Sequence, residues 1–156
     1  MSETNPVAIV TGASRGLGEV ISRVLGERGY DLVLGARQAG PLGRVAEAIS
    51  AGRPNRVVPV GGDITEPSVR ARLVDAARTL GGLNLVVNNA SELGGIGSLM
   101  EFDVPRFGRI FPVNVGAPMA LIQLAVPLLA ERRGFENKDS EKNSEHEESP
   151  GFKDFQ

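Results

Sequence analysis

The stretch with the clearest chemistry is "TGASRGLG", residues 11–18, set between the apolar run "VAIV" (7–10) and an amphipathic stretch that begins at Leu17. A turn this tight needs residues that tolerate positive φ, and glycine does so without a Cβ penalty. Gly12 lets the chain leave a strand, Gly16 lets the backbone approach a ligand, and Gly18 lets a helix pack closely on a sheet. Free N–H groups at a helix N-terminus, where the dipole is positive, suit a bound anion. The strand, glycine turn and helix together predict a pyrophosphate cradle for a dinucleotide, built from Gly12, Ser14, Arg15, Gly16, Leu17 and Gly18.

The residue that selects between dinucleotides lies about 20 positions further on, where a carboxylate accepts a ribose 2′-OH and an arginine accommodates a 2′-phosphate. Here the second apolar run ends in Gly35, Ala36 and Arg37, with no carboxylate. Arg37, joined by Arg15 from the glycine turn, predicts NADP in preference to NAD through charge-assisted bonds to the extra phosphate. A P-loop nucleotidase is excluded, because that motif needs a Lys and residues 1–133 contain none.

The rest of the composition removes other classes. The 156 residues include no Cys, which rules out disulfides and thiolate metal sites, and the single His146 lies in a polar C-terminal stretch. Residues 1–133 carry 14 Arg and 12 Asp or Glu, a net +2, and residues 134–156 carry 3 Lys and 7 Asp or Glu, a net −4. Neither part has the basic footprint of a nucleic-acid binder. Gly, Pro, Asn or charge interrupts every apolar run before the ~20 residues that a membrane span needs. "MSETNP" lacks a signal-peptide core, so a soluble cytoplasmic chain with neither membrane nor nucleic-acid partner is expected.

The elements that must position the glycine turn follow from periodicity. Leu17, Val20, Ile21, Val24 and Leu25 repeat at helical spacing up to Gly29, and "DLVLGA" (31–36) reads as a second strand. Pro41 opens a helix with the face Leu42, Val45, Ala46 and Ile49. "RVVPVGG" (56–62) is a third strand, followed by Thr65 as N-cap of a helix bearing Val69, Leu73, Ala76, Ala77 and Leu80. "LNLVVNNA" (83–90) is a fourth strand, and a long helix spans about Pro105 to Arg132. This alternation predicts an α/β, Rossmann-like, doubly wound parallel sheet of four strands in the order 3-2-1-4. Pro59 places the third strand at an edge, since proline donates nothing to a ladder. The fourth strand would be the other edge, apolar and unprotected, which calls for something beside it.

The spacing TGxxxGxG, followed by "GGDIT" (61–65), "NNAS" (88–91) and "PVNVGAP" (112–118), resembles the short-chain dehydrogenase/reductase family over about residues 6–133. The resemblance implies that Asp63 and Ile64 contact the adenine, that Asn89 and Ala90 lie beside the nicotinamide ribose, and that Asn88 steadies the sheet. Ser91 stands where the family commonly has Gly. Asn114 matches the helix Asn that in the family holds a water of a proton relay through its backbone carbonyl. Pro118, four residues later, has no N–H to offer that carbonyl, and Pro112 similarly releases Gly108. The family also dimerises through the long helix, so a homo-oligomer through residues 105–132 is expected.

Family members move a hydride between a nicotinamide and a carbonyl or alcohol substrate, using a Ser and a Tyr-x-x-x-Lys. A free phenol has a pKa near 10, so a neighbouring cation is needed to acidify it. The only Tyr is Tyr30, followed four positions later by Leu34, and it reads as packing. The Ser, Tyr and Lys would come after the long helix, where the charged stretch 134–156 stands instead. That stretch is expected to be disordered. Every cation before it is Arg and every one within it is Lys, which suggests an end foreign to residues 1–133 or shifted in frame, against the alternative of an ordinary solvated extension. Two functional readings follow: an NADP(H)-dependent oxidoreductase, inactive as this chain, or a non-catalytic dinucleotide-binding or dimerisation module.

Overall fold

The computed structural model describes residues 5–94, 98, 100, 105 and 107–133. Strands β1 (Val7–Thr11), β2 (Asp31–Ala36), β3 (Val57–Gly61) and β4 (Leu85–Val87) alternate with helices α1 (Gly16–Glu27), α2 (Ala39–Ser50) and α3 (Pro67–Thr79). After β4 come α4 (Phe107–Phe111), a π-helical turn (Pro112–Gly116) and α5 (Ala117–Arg133). The four strands form one parallel sheet in the order β3-β2-β1-β4, the expected order, with Pro59 on the β3 edge opposite Leu34. The disorder expected over residues 134–156 lies outside the described residues.

Side chains alternate across the sheet, so β1 feeds two cores. Val7 and Ile9 join Leu73, Ala77, Leu121, Ala125 and Leu128 under α3 and α5. Ala8 and Val10 join Leu32, Leu34, Leu42, Val45 and Ile49 under α1 and α2. Both faces of β1 and β2 are dry, which is why those strands read as unbroken apolar runs.

Several local expectations are corrected. The stripe expected for α1 is only half buried: Leu25 and Ile21 pack on the core, whereas Leu17, Val20 and Val24 are 67%, 56% and 40% exposed. The buried positions of α1 are Gly18, Ser22, Leu25 and Gly26. Small residues win because the helix lies so close to its neighbours. A Cβ on Gly26 would meet Ile49 at 2.5 Å, and one on Gly18 would run into the Gly12 carbonyl. Ser22 resolves its polarity locally by donating to the Gly18 carbonyl at 2.7 Å.

Helix α2 starts at Ala39, two residues before Pro41, and buries the expected Leu42, Val45, Ala46 and Ile49. Thr65 is not the N-cap of α3. The helix begins at Pro67 after Glu66, whereas the Thr65 N–H and hydroxyl both donate to Asp63 Oδ1 at 2.8 Å. The fourth strand is shorter than expected, pairing with β1 only at Leu85, Val86 and Val87. It begins after Asn84, whose Oδ1 accepts the Val7 N–H at 2.9 Å, and ends where the chain turns over Thr11.

The long helix begins at Phe107 and is interrupted rather than continuous. In the π-helical turn the Ala117 N–H reaches back to the Pro112 carbonyl, an i→i+5 bond. Pro112 and Pro118 each remove an N–H from the α-helical ladder, and the wider turn lies between them. The helical stretch Gly108–Arg132 is, by length and composition, long and apolar enough to cross a membrane, contrary to the sequence expectation. Its prolines and Asn114 interrupt the apolar run without ending the helix, and Ala117, Leu121, Ala125 and Leu128 seat it on the sheet.

Candidate functional site

The C-terminal ends of the parallel strands open onto a crevice of about 990 Å³. In a doubly wound sheet this is the end where ligands bind, at the point where strand order reverses. Here the reversal falls between β1 and its neighbours β2 and β4. Of the eleven residues expected to hold cofactor, ten line the crevice: Gly12, Ser14, Arg15, Gly16, Leu17, Arg37, Asp63, Ile64, Asn89 and Ala90. Gly18 lies beneath its floor, fully within the packing.

The glycine turn divides its labour. Gly12 and Gly16 have φ of +68° and +58°, where a side chain would be strained. Gly12 is also crowded, since a Cβ there would lie 2.8 Å from Asn89 Nδ2 and 2.9 Å from the Ala90 Cα. Gly16 is the opposite case: a Cβ would meet no protein atom within 4 Å. The space above Gly16 is thus left for something that is not protein. Arg15, the N-cap of α1, makes no side-chain capping bond, and its guanidinium has no acceptor to offer the first-turn donors. This arrangement fits a diphosphate held by backbone N–H groups.

The opposite wall is tied down by Thr11, a residue that sequence reasoning passed over although it opens the motif. Its hydroxyl donates to the Val87 carbonyl at 3.3 Å and accepts from the Asn89 and Ala90 N–H groups at 3.0 and 3.1 Å. The Asn89 carboxamide donates to the carbonyls of Thr11 and Gly12 at 3.0 and 3.2 Å. The steadying role expected of Asn88 therefore falls to Asn89, and Asn88 is exposed. Asn89 joins the end of β4 to the glycine turn, so one amide fixes both walls.

Charges gather on the rim. Arg37 follows β2, is 64% exposed, and lies 3.4 Å from the carboxylate of Glu92. Asp63 is held below the usual carboxylate range by the Thr65 N–H and hydroxyl, with burial opposing and the Arg37 charge assisting. Arg15 stands exposed at the start of α1. Asn114 does not line the crevice. Its side chain accepts the Glu92 N–H at 2.8 Å and donates to the Glu92 carbonyl at 3.0 Å, locking the π-helical turn to the loop after β4. Glu92 carries no motif signal, and nothing singles it out in the sequence beyond its place after "NNAS".

Tyr30 packs against the core shared by α1 and α2. It precedes the first residue of β2, at the end of the sheet away from the crevice, about 20 Å along the strand at ~3.3 Å per residue.

Residues 6–135 match the family model described as short chain dehydrogenase. An uncharacterised oxidoreductase of Mycobacterium tuberculosis is 37% identical over 132 residues, which is 82% of this chain and 48% of that protein. The 1-deoxy-11-beta-hydroxypentalenate dehydrogenase of Streptomyces arenae is 36% identical over 135 residues, covering 85% of this chain and 47% of the enzyme. Among solved structures, L-sorbose reductase from Gluconobacter frateurii, complexed with NADPH and L-sorbose, superposes with a TM-score of 0.75 at 29% identity, covering 83% of this chain and 49% of that one. The chain spans about half the length of the curated relatives it matches. With the sheet order, the glycine turn and the family match in agreement, the chain belongs to the short chain dehydrogenase family.

Proposed function

We propose that the chain is the cofactor-binding part of an NADP(H)-dependent oxidoreductase acting on a carbonyl or alcohol. The observation that carries this reading is the open space over Gly16, at an α1 N-terminus without a side-chain cap, with Arg37 on the adjoining rim. The nicotinamide, when bound, supplies or accepts the hydride. Backbone N–H groups from Gly12 to Gly18 hold the diphosphate, and Arg37 with Arg15 receives the 2′-phosphate. Asp63 and Ile64 border the adenine, and Asn89 and Ala90 border the nicotinamide ribose. Asn114 is a positioning residue that fixes the loop after β4, and its carbonyl, lacking an N–H donor from Pro118 four residues on, would hold a water of a proton relay.

What the 156 residues do not supply is an acidified phenol. Tyr30 is the only Tyr and it packs far from the crevice. The chain by itself is therefore expected to bind dinucleotide without turning over substrate. Purified chain titrated with NADPH and NADH should prefer NADPH. Arg37→Ala should weaken NADPH by about 10- to 100-fold, the size of a charge-assisted bond, and leave NADH nearly unchanged. Equal affinity of the unaltered chain for both would remove the role given to Arg37, and steady-state reduction of a carbonyl panel would overturn the expected inactivity.

A second reading, a dimerisation module, is favoured by the outer face of the long helix. Val115, Met119, Ile122 and Val126 follow one another at spacings of four, three and four, and are 43%, 58%, 46% and 50% exposed. Such a stripe fits a helix-on-helix contact with a second copy. Sedimentation should then show a dimer that Ile122→Glu converts to monomer. A monomer at all concentrations would set this reading aside.

A further inference from the structure

Glu92 stands in the loop after β4, and its carboxylate Oε2 lies 3.4 Å from Nη1 of Arg37, across from the end of β2. The backbone that carries it is fixed independently, because the Asn114 carboxamide grips both the Glu92 N–H and its carbonyl. The side chain is thus aimed from an anchored point, and only 35% of it is exposed. Arg37 also feels the carboxylate of Asp63, whose own acidity it increases. The guanidinium offered to a 2′-phosphate is therefore already paired with one carboxylate, that of Glu92, and lies in the field of a second.

We propose that Glu92 is a specificity-determining residue that competes with the 2′-phosphate for Arg37 and holds the NADP preference below what Arg37 alone would give. The inference rests on the crevice being a dinucleotide site. An exposed ion pair is weak, so a phosphate displaces it readily. The displaced carboxylate stays within the reach of one side chain, because its backbone stays clamped to Asn114. It remains near the bound phosphate as a like charge, in surroundings only partly screened by water. A cofactor without that phosphate meets neither the competition nor the repulsion, so the effect falls on one cofactor alone.

The test is equilibrium titration of the unaltered chain and Glu92→Gln with NADPH and with NADH, at low and high salt. Glutamine preserves the side-chain size and the backbone bonds to Asn114, and Glu92→Ala serves as a second variant should the first fold poorly. NADPH should bind about fivefold more tightly to either variant, the size of one partly screened charge, with the gain shrinking at high salt. NADH should stay within about twofold, less than 0.5 kcal/mol by the standard conversion. An unchanged NADPH affinity, or equal shifts for both cofactors, overturns the inference while the dinucleotide reading stands. Failure of the unaltered chain to bind either cofactor overturns that reading, and the inference falls with it.

Discussion

Gly18→Ala is expected to lower stability by about 2–3 kcal/mol and to abolish measurable NADPH binding, although the new group is a single methyl. Its Cβ would run into the Gly12 carbonyl and the Asn89 carboxamide, which are themselves joined by a hydrogen bond of 3.2 Å. Neither contact is the loose end of a flexible side chain. The N-terminus of α1 must move, and the donors that face the crevice move with it. Gly16→Ala provides the contrast. That Cβ meets nothing, so the cost is the ~1 kcal/mol of a residue forced to positive φ, yet the methyl enters the space left for phosphate. Urea titration and cofactor titration on both variants separate the two glycines: the first loses stability and binding, the second mainly binding. A Gly18→Ala protein as stable as the parent would show that α1 tolerates displacement, and the close-packing account of its buried face would fail.

Asp31→Ala should cost about 3 kcal/mol, the lower part of the range for removing one partner of a buried pair. Asp31 is fully buried at the start of β2 and accepts the Arg56 N–H at 2.8 Å, Arg56 Nε at 2.8 Å and the Asn5 carboxamide at 3.1 Å. Arg56 in turn donates to the Leu80 carbonyl at 2.7 Å, so one carboxylate ties β2 to the start of β3 and the end of α3. The cost falls at the low end because the Arg56 side chain is 54% exposed, and water covers its charge once Asp31 is gone. The pH dependence follows from the direction of the shift. Burial alone would raise the Asp31 pKa, but the Arg56 amide, the Asn5 amide and the Arg56 guanidinium together bring it below the ordinary 3.8. Near that pH the unfolded chain binds more protons than the folded one. The stabilisation is complete above the unfolded value and is lost as pH falls through the folded value. Unfolding free energies at pH 7 and pH 3 should therefore differ more for the parent than for Asp31→Ala. Equal losses in the two proteins would mean that Asp31 is not the group responsible.

The layers of the fold were legible because β1 and β2 are dry on both faces and write that fact as unbroken apolar runs. The site was legible because phosphate binding by backbone demands glycine, a residue type that sequence displays directly. What escaped has physical causes of its own. The buried face of α1 is set by how closely a helix approaches a carbonyl, so Gly18, Ser22 and Gly26 outrank Leu17 and Val20, and hydrophobic periodicity finds only Ile21 and Leu25 of that face. β4 is three residues long because Asn84 and Thr11 take over hydrogen bonding at its two ends, an exchange of backbone for side-chain partners that apolar pattern does not encode. Thr65 has the composition of a cap, but a carboxylate two residues earlier claims its N–H and hydroxyl first. The pairing of Glu92 with Arg37 joins residues 55 apart and belongs to the assembled loops alone.

The three-residue ladder of β4 ties the behaviour of the ligand to the weakest seam of the sheet. One wall of the crevice hangs from this edge strand, and the hydroxyl of Thr11 is the pin that joins it to β1. Fraying of so short a strand is a local event, far less costly than global unfolding. Each such event widens the mouth and releases Asn89 from the glycine turn. Amide exchange along β4 and the dissociation rate of a bound nucleotide should accordingly rise and fall together, with the inner strands β1 and β2 remaining silent.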